Sequence, residues 1–262
     1  KGYLDRIEAY DQKGPKLNAI ICVNKSALDE ADELDRYFEE NGLKGALHGV
    51  PVLLKDNVNT SDMPTTAGSK SLEGYVPDED AFIVKQMKAA GALIIAKTNL
   101  HEFAIWGETI SSILGQTLNP YDLSRTPGGS SGGTGAGVAA NFGLVGIVTD
   151  TINSVRSPSS ANCFVGIRPT IGLVSKGGVV PYSYTQDAVG PIARTVEDAA
   201  RLLDVMKGYD EGDSKTAWSI GRDESSYSDH LDKSGLSGKR IGVLSGFFGQ
   251  DDIHRETNEA VN

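Results

Sequence analysis

Short apolar, β-branched runs alternate along this chain with stretches of helical periodicity, and that alternation is the strongest constraint on its fold. Strand candidates lie at residues 17–23, 50–55, 92–97, 144–148, 164–167 and 240–244. Helical patterns lie at residues 4–10, 26–40, 81–90, 135–142, 195–206 and 256–261, and in the second of these Leu28, Ala31, Leu34 and Phe38 share one face. Strands separated by helices pair mainly in parallel and need cover on both faces. The expected fold is therefore α/β: a mixed, mainly parallel central sheet with helices on both faces. A chain of 262 residues is long enough for one large domain of this kind. A lone strand and a short helix after a polar stretch at residues 208–238 are an unusual way to finish such a sheet. The expectation is a single domain over 1–262, incomplete at its C-terminus and part of something longer.

Charge and composition narrow the function classes. Basic residues number 25 against 35 acidic ones, a net charge of −10 with no basic patch, which argues against a nucleic-acid partner. The longest apolar runs are far too short to span a membrane, so no membrane partner is expected. The two cysteines, Cys22 and Cys163, sit in apolar sequence about 140 positions apart, which predicts two buried thiols and no disulfide framework. With no leader visible at residue 1 and no disulfide pattern, a cytoplasmic location is favoured. There is no CxxC or HExxH, and the four histidines are scattered, so neither a metal nor a cofactor is expected.

The chemistry gathers elsewhere. Gly128-Gly129-Ser130-Ser131-Gly132-Gly133 runs straight into an apolar, small-residue helix, which a flexible linker would not do. Gly135-x-Gly137-x-x-Ala140 matches a dinucleotide fingerprint, but no strand precedes it and no acid follows at the right distance. A rigid loop that brings backbone close to a substrate fits best. Lys55 closes the buried strand candidate at 50–55; either desolvation lowers its pKa far enough for it to act as a base, or it pairs with the adjacent Asp56. Ser154 sits in a turn after a strand candidate, as an exposed nucleophile or as the cap of the next turn.

Four segments together, in order and spacing, resemble the amidase signature family. They are Gly49–Asn57, Pro127–Gly133, Thr149–Pro158 and Val165–Thr170, with further support from residues 91–104 and 186–194; the central motifs lie within 45–195. The resemblance implies that residues 1–262 are the N-terminal part of a longer catalytic domain. It also implies a Ser-Ser-Lys triad. Ser154 would be the acyl-forming nucleophile, and Ser130, after a cis Gly129–Ser130 peptide, would bridge it to a neutral Lys55. The backbone N–H groups of Thr151, Ile152, Asn153 and Ser154 would form the oxyanion hole, and Ser131 would orient the network. The implied activity is hydrolysis of a small-molecule or peptide amide, by a chain that could also form a homo-oligomer. Two other readings follow from the same family: the glutaminase (A-type) subunit of a tRNA-dependent amidotransferase, and a catalytically dead amidase-fold protein. Residues 182–187 look more like the peptide and general amidase branches than the amidotransferase one. Two departures from the family pattern stand beside the nucleophile: Val148 in place of the usual glycine before Thr149-Asp150, and Ile152-Asn153 in place of one or two glycines.

Overall fold

The computed structural model describes residues 1–221 and 225–262. In chain order its helices are α1 (Gly2–Tyr10), α2 (Ala27–Asn41), α3 (Phe82–Ala89), α4 (Gly132–Ala139), α5 (Arg156–Ala161), α6 (Val196–Met206) and α7 (Arg255–Val261). Its strands are β1 (Ile20–Val23), β2 (Pro51–Lys55), β3 (Leu93–Thr98), β4 (Ile110–Ser111), β5 (Gly115–Gln116), β6 (Val145–Asp150), β7 (Val165–Gly166) and β8 (Ala188–Ala193). Six strands form one sheet in the order β1-β3-β2-β6-β8-β7, and β4 and β5 make a small separate hairpin. The centre of the sheet, β3-β2-β6, is parallel, while β1 and β8 run antiparallel to their neighbours; β3, β2, β6 and β7 all point the same way.

Side-chain alternation along β2 divides the core in two. Val52 and Leu54 join one apolar cluster with Ile83, Val84 and Met87 of α3 and Leu202, Leu203 and Met206 of α6. Leu53 joins the other, with Ala136 and Val138 of α4, Phe142, and Ile7 of α1. Helix α4 explains its own composition. Each glycine in a helix costs about 1 kcal/mol relative to alanine, yet a Cβ on Gly133 would lie 2.2 Å from the Asn99 carbonyl oxygen, and one on Gly137 would lie 2.7 Å from Leu53. The small residues let this helix lie directly on the sheet, with its N-terminus beside the end of β2.

Several details differ from the sequence expectation. Residues 240–244 are not a strand: Ile241, Val243 and Leu244 are exposed and, among the described residues, have no neighbouring strand to bond, and an unpaired strand is not stable. They fall in a second compact unit, His230–Asn262, which contains α7 and short helical turns; the first unit is Lys1–Asp229. Conversely, β8 is a full, buried strand that hydropathy alone obscured, because Gly190 and Pro191 interrupt it. The glycine-rich helix starts at Gly132, three residues before the expected 135. The expectation of two buried thiols fails. Cys163 is exposed in a left-handed residue just after α5, and Cys22 is only half-buried. Apolar flanks describe the neighbours and say little about a residue at a bend. In α2 only Ala27 is buried; Leu28 and Phe38 are exposed. Of the polar stretch at 208–238, residues 222–224 lie outside the described residues.

Candidate active site

Lys55 ends β2 fully buried, and Ser130 and Ser131 sit immediately before α4, both with no exposed surface. The Lys55 Nζ donates to Ser130 Oγ at 2.8 Å, and Ser130 Oγ in turn lies 2.8 Å from Ser154 Oγ. Three residues separated by 75 and 24 positions therefore form one continuous chain of polar atoms. Ser154 itself is 5% exposed and lines a cavity. The Gly129–Ser130 peptide is cis.

Thr149, near the end of β6, completes the lysine's surroundings. Its Oγ1 accepts from Nζ at 2.8 Å and its carbonyl oxygen lies 3.4 Å away, while the Asn57 side chain donates to the same Oγ1 at 3.1 Å. Burial drives the Lys55 pKa down to about 7, opposed by the negative charges of Asp150 and Asp187. A neutral amine has two protons and one lone pair. In the neutral form, with its protons on the two Thr149 oxygens, the lone pair would be left to accept from Ser130. The alternative pairing of Lys55 with Asp56 is not present. Asp56 instead pairs with a second buried lysine, Lys97, at 3.3 Å, and Thr66 donates to its other oxygen through both backbone and hydroxyl. The adjacent acid is thereby occupied, and among the described residues Lys55 has no ion-pair partner that would hold it protonated.

The turn after β6 wraps around a buried carboxylate. Asp150 accepts the backbone N–H of Val155 at 2.9 Å and faces Arg168 at 3.3 Å. Wrapped in this way, residues 151–154 turn their backbone away from secondary structure. Among the described residues, none of the N–H groups of Thr151, Ile152, Asn153 and Ser154 donates to an internal acceptor. Unpaired backbone donors beside a serine hydroxyl are the kind of group that can stabilise a developing oxyanion. Ile152 and Asn153 both keep φ negative, so the loop needs no glycine at these positions and the departure from the family pattern introduces no left-handed strain. Both residues line a cavity of about 350 Å³ together with Ser154, Trp106, Glu108 and Tyr182. Ser131 does not touch Ser154; its hydroxyl donates to the Thr149 carbonyl oxygen at 3.2 Å, fixing the strand that holds Lys55 in place.

Two groups escaped the sequence reading. One is Asp187, at the start of β8: it accepts the Thr151 hydroxyl at 2.5 Å and the backbone N–H groups of Tyr182 and Ser183 at 2.8 and 2.9 Å. It thus ties the free-donor loop to the Tyr182 wall. The signal was present in Gln186-Asp187-Ala188, but only the fold shows which loops it joins. The other is the segment 104–108, the opposite wall, which has no catalytic motif of its own.

The glycine run is what allows that wall to approach. Gly128 has φ +74°, and a Cβ there would meet the Ser157 carbonyl oxygen at 2.8 Å; a Cβ on Gly129 would lie 2.6 Å from the Gly107 carbonyl carbon. The expected outcome for Gly129→Ala is a loss of about 1–3 kcal/mol in unfolding free energy, from overpacking against backbone that cannot rotate aside. Chemical denaturation against the unsubstituted chain measures it.

Among the described residues no helix is long and apolar enough to cross a membrane, and no group of three or more His, Cys, Asp or Glu side chains is placed to hold a metal ion. The sequence profile of the Amidase family matches residues 1–262. The glutamyl-tRNA(Gln) amidotransferase A-type subunit of Methanosarcina mazei is 42% identical over 249 residues, covering 95% of this chain and 50% of that protein. An amidase family protein from Bacillus anthracis superposes with a TM-score of 0.91 at 39% identity, over 99% of this chain and 52% of the other. The native peptide amidase from Stenotrophomonas maltophilia superposes with a TM-score of 0.87 at 41% identity, over 98% and 54%. The chain spans about half the length of the curated relatives it matches.

Proposed function

Because this chain belongs to the amidase family, we propose that it carries the acyl-transfer centre of an amide hydrolase, with Ser154 as nucleophile, Ser130 as proton bridge and Lys55 as base. The observation that carries this reading is the unbroken contact from Lys55 Nζ through Ser130 Oγ to Ser154 Oγ, each step 2.8 Å. Serine is a weak nucleophile until a base takes its proton, and among the described residues no histidine hydrogen-bonds to this one. A lysine whose pKa lies near 7 is neutral often enough to do so.

The steps follow from the geometry. Hydroxyl protons rotate freely, so the chain runs in either direction. Ser154 Oγ attacks the amide carbonyl carbon as its proton passes to Ser130 Oγ and the Ser130 proton passes to Lys55 Nζ. The carbonyl oxygen takes the negative charge and meets the free N–H groups of residues 151–154. As the C–N bond breaks, the proton returns from Lys55 through Ser130 to the leaving nitrogen. Water then attacks the Ser154 ester, giving up its proton along the same path, and the carboxylic acid leaves with Ser154 restored. Thr149, Asn57 and Ser131 hold the lysine in line throughout.

The test is release of ammonia or amine from amides by the full-length protein, together with labelling of Ser154 by a fluorophosphonate. An unlabelled serine would favour the dead-enzyme reading. The second reading, a glutaminase subunit that passes ammonia to a partner, draws support from the name carried by the Methanosarcina relative. It expects a strong preference for glutamine and co-purification with a larger partner.

Asp187 offers a check on the lysine. Its charge raises the Lys55 pKa against the effect of burial. In Asp187→Asn the opposing charge is gone, so the acid limb of the pH–rate profile is expected to move to lower pH. A limb that stays in place or moves upward contradicts this electrostatic link.

A further inference from the structure

Four apolar side chains in the walls of the cavity are uncovered. Trp106, Ile152, Ile105 and Tyr182 are 65%, 62%, 50% and 41% exposed, and all four line the space in front of Ser154. Apolar side chains scattered singly over a surface need no explanation, but four around one concave site mark where a ligand is buried. Ile152 is the informative member, since it stands in the free-donor loop where its family pattern has glycine. It lines the same cavity as Ser154.

Charge in the cavity is one-sided. Among the described residues, Glu108 is the only Asp, Glu, Lys or Arg side chain lining it. Its carboxylate forms no ion pair or side-chain hydrogen bond among the described residues; the contacts from Gln116 and Thr126 go to its backbone oxygen. The His101 imidazole feels the charges of Glu108 and Glu102, but burial outweighs both and holds its pKa below the ordinary value. Arg156 donates to the Ile152 carbonyl oxygen and faces Asp150 without lining the cavity, so among the described lining side chains a substrate carboxylate would find one like charge and no cation. A substrate ammonium would find an unpaired partner.

We propose, on the reading that Ser154 is an amidase nucleophile, that this site takes amides of bulky apolar or aromatic acids bearing a nearby ammonium group, with Glu108 holding the ammonium and Trp106 and Ile152 the apolar part, and that it discriminates against amides bearing a carboxylate. Phenylalaninamide has the required form. 3-Phenylpropanamide is the same molecule without the ammonium, and glutamine is an amide that carries an ammonium with a carboxylate beside it and no apolar group.

The experiment measures ammonia release from these three by the full-length protein and by its Glu108→Gln variant. Phenylalaninamide is expected to show the highest kcat/KM. The ratio of its kcat/KM to that of 3-phenylpropanamide is expected to fall about three- to fivefold in Glu108→Gln, as for an exposed charge pair. In the unsubstituted protein the same ratio is expected to fall as salt is raised, because the pairing is screened; this arm needs no variant. A ratio indifferent to both the substitution and salt overturns the role of Glu108. Glutamine turned over with a higher kcat/KM than phenylalaninamide overturns the substrate class while leaving Ser154 as nucleophile. Failure to hydrolyse any amide, with no labelling of Ser154, overturns the amide-hydrolase reading on which the proposal rests.

Discussion

Replacing Ser154 by alanine is expected to lower kcat/KM for amide hydrolysis by about five to six orders of magnitude, the scale seen when a nucleophile is removed from a coupled triad. The size of the effect follows from the interdependence of the groups. Without the hydroxyl no acyl-enzyme forms, and Ser130 and Lys55 then have no proton to carry. Only the free N–H groups of residues 151–154 remain to stabilise charge, a residual of about three to four orders of magnitude over water. Stability should change little, since Ser154 contributes one small, partly accessible hydroxyl and Ser130 keeps its contact with Lys55 at 2.8 Å. The measurement is ammonia release, with a thermal melt as control. An alanine variant that melts normally and keeps even a hundredth of the activity would rule out Ser154 as nucleophile.

Loss of Lys55 is expected to rank second, with Lys55→Ala about 10⁴-fold slower, the upper end of what a positioned general base supplies. The unsubstituted protein should reveal the same group through pH. The base works only when neutral, and its pKa lies at about 7. Activity is therefore expected to rise about tenfold per pH unit below that value and to level off above it. Stability moves in a related way. An unfolded lysine stays protonated up to about pH 10.4, whereas the folded one is neutral above about 7. Between those values the unfolded chain binds the additional proton, so stability rises with pH across that window and loses this contribution as pH falls toward 7. Lys55→Met should flatten both profiles. A rate that is level from mildly acidic to mildly basic pH would count against a neutral lysine base.

What could be read from the sequence was the part set by local pattern. The α/β alternation was visible because β2, β3 and β6 are buried on both faces and so appear as continuous apolar runs. Lys55, Ser130 and Ser154 each stand in an odd local setting, a lysine closing an apolar strand, a serine within glycines and a serine in a turn, but only the resemblance to the amidase signature family joined them into one site. The reading failed where the decisive partner is distant in sequence. Strand β8 depends on β6 for its ladder and tolerates Gly190 and Pro191 in its interior, so its own composition gave no strand signal. Residues 240–244 have the composition of a strand but, among the described residues, no partner. Asp187 is one acid among 35 until β8 places it under Thr151. The choice for Lys55 between a desolvated base and a partner of Asp56 also lay beyond reach, because Asp56 is taken by Lys97, 41 positions further on.

The backbone contact between Gly129 and Gly107 bears on how such a site can diversify. The wall that would grip the acyl group rests, main chain on main chain, against the dipeptide that carries the bridging serine. Lengthening or re-routing the 104–108 segment would therefore drag Ser130 out of line. The side chains at 105, 106, 108 and 152 project from that fixed frame and are free to vary. New substrate preferences in such a scaffold are most accessible through point changes at those four positions, and a library confined to them should retain turnover far more often than one built on loop insertions.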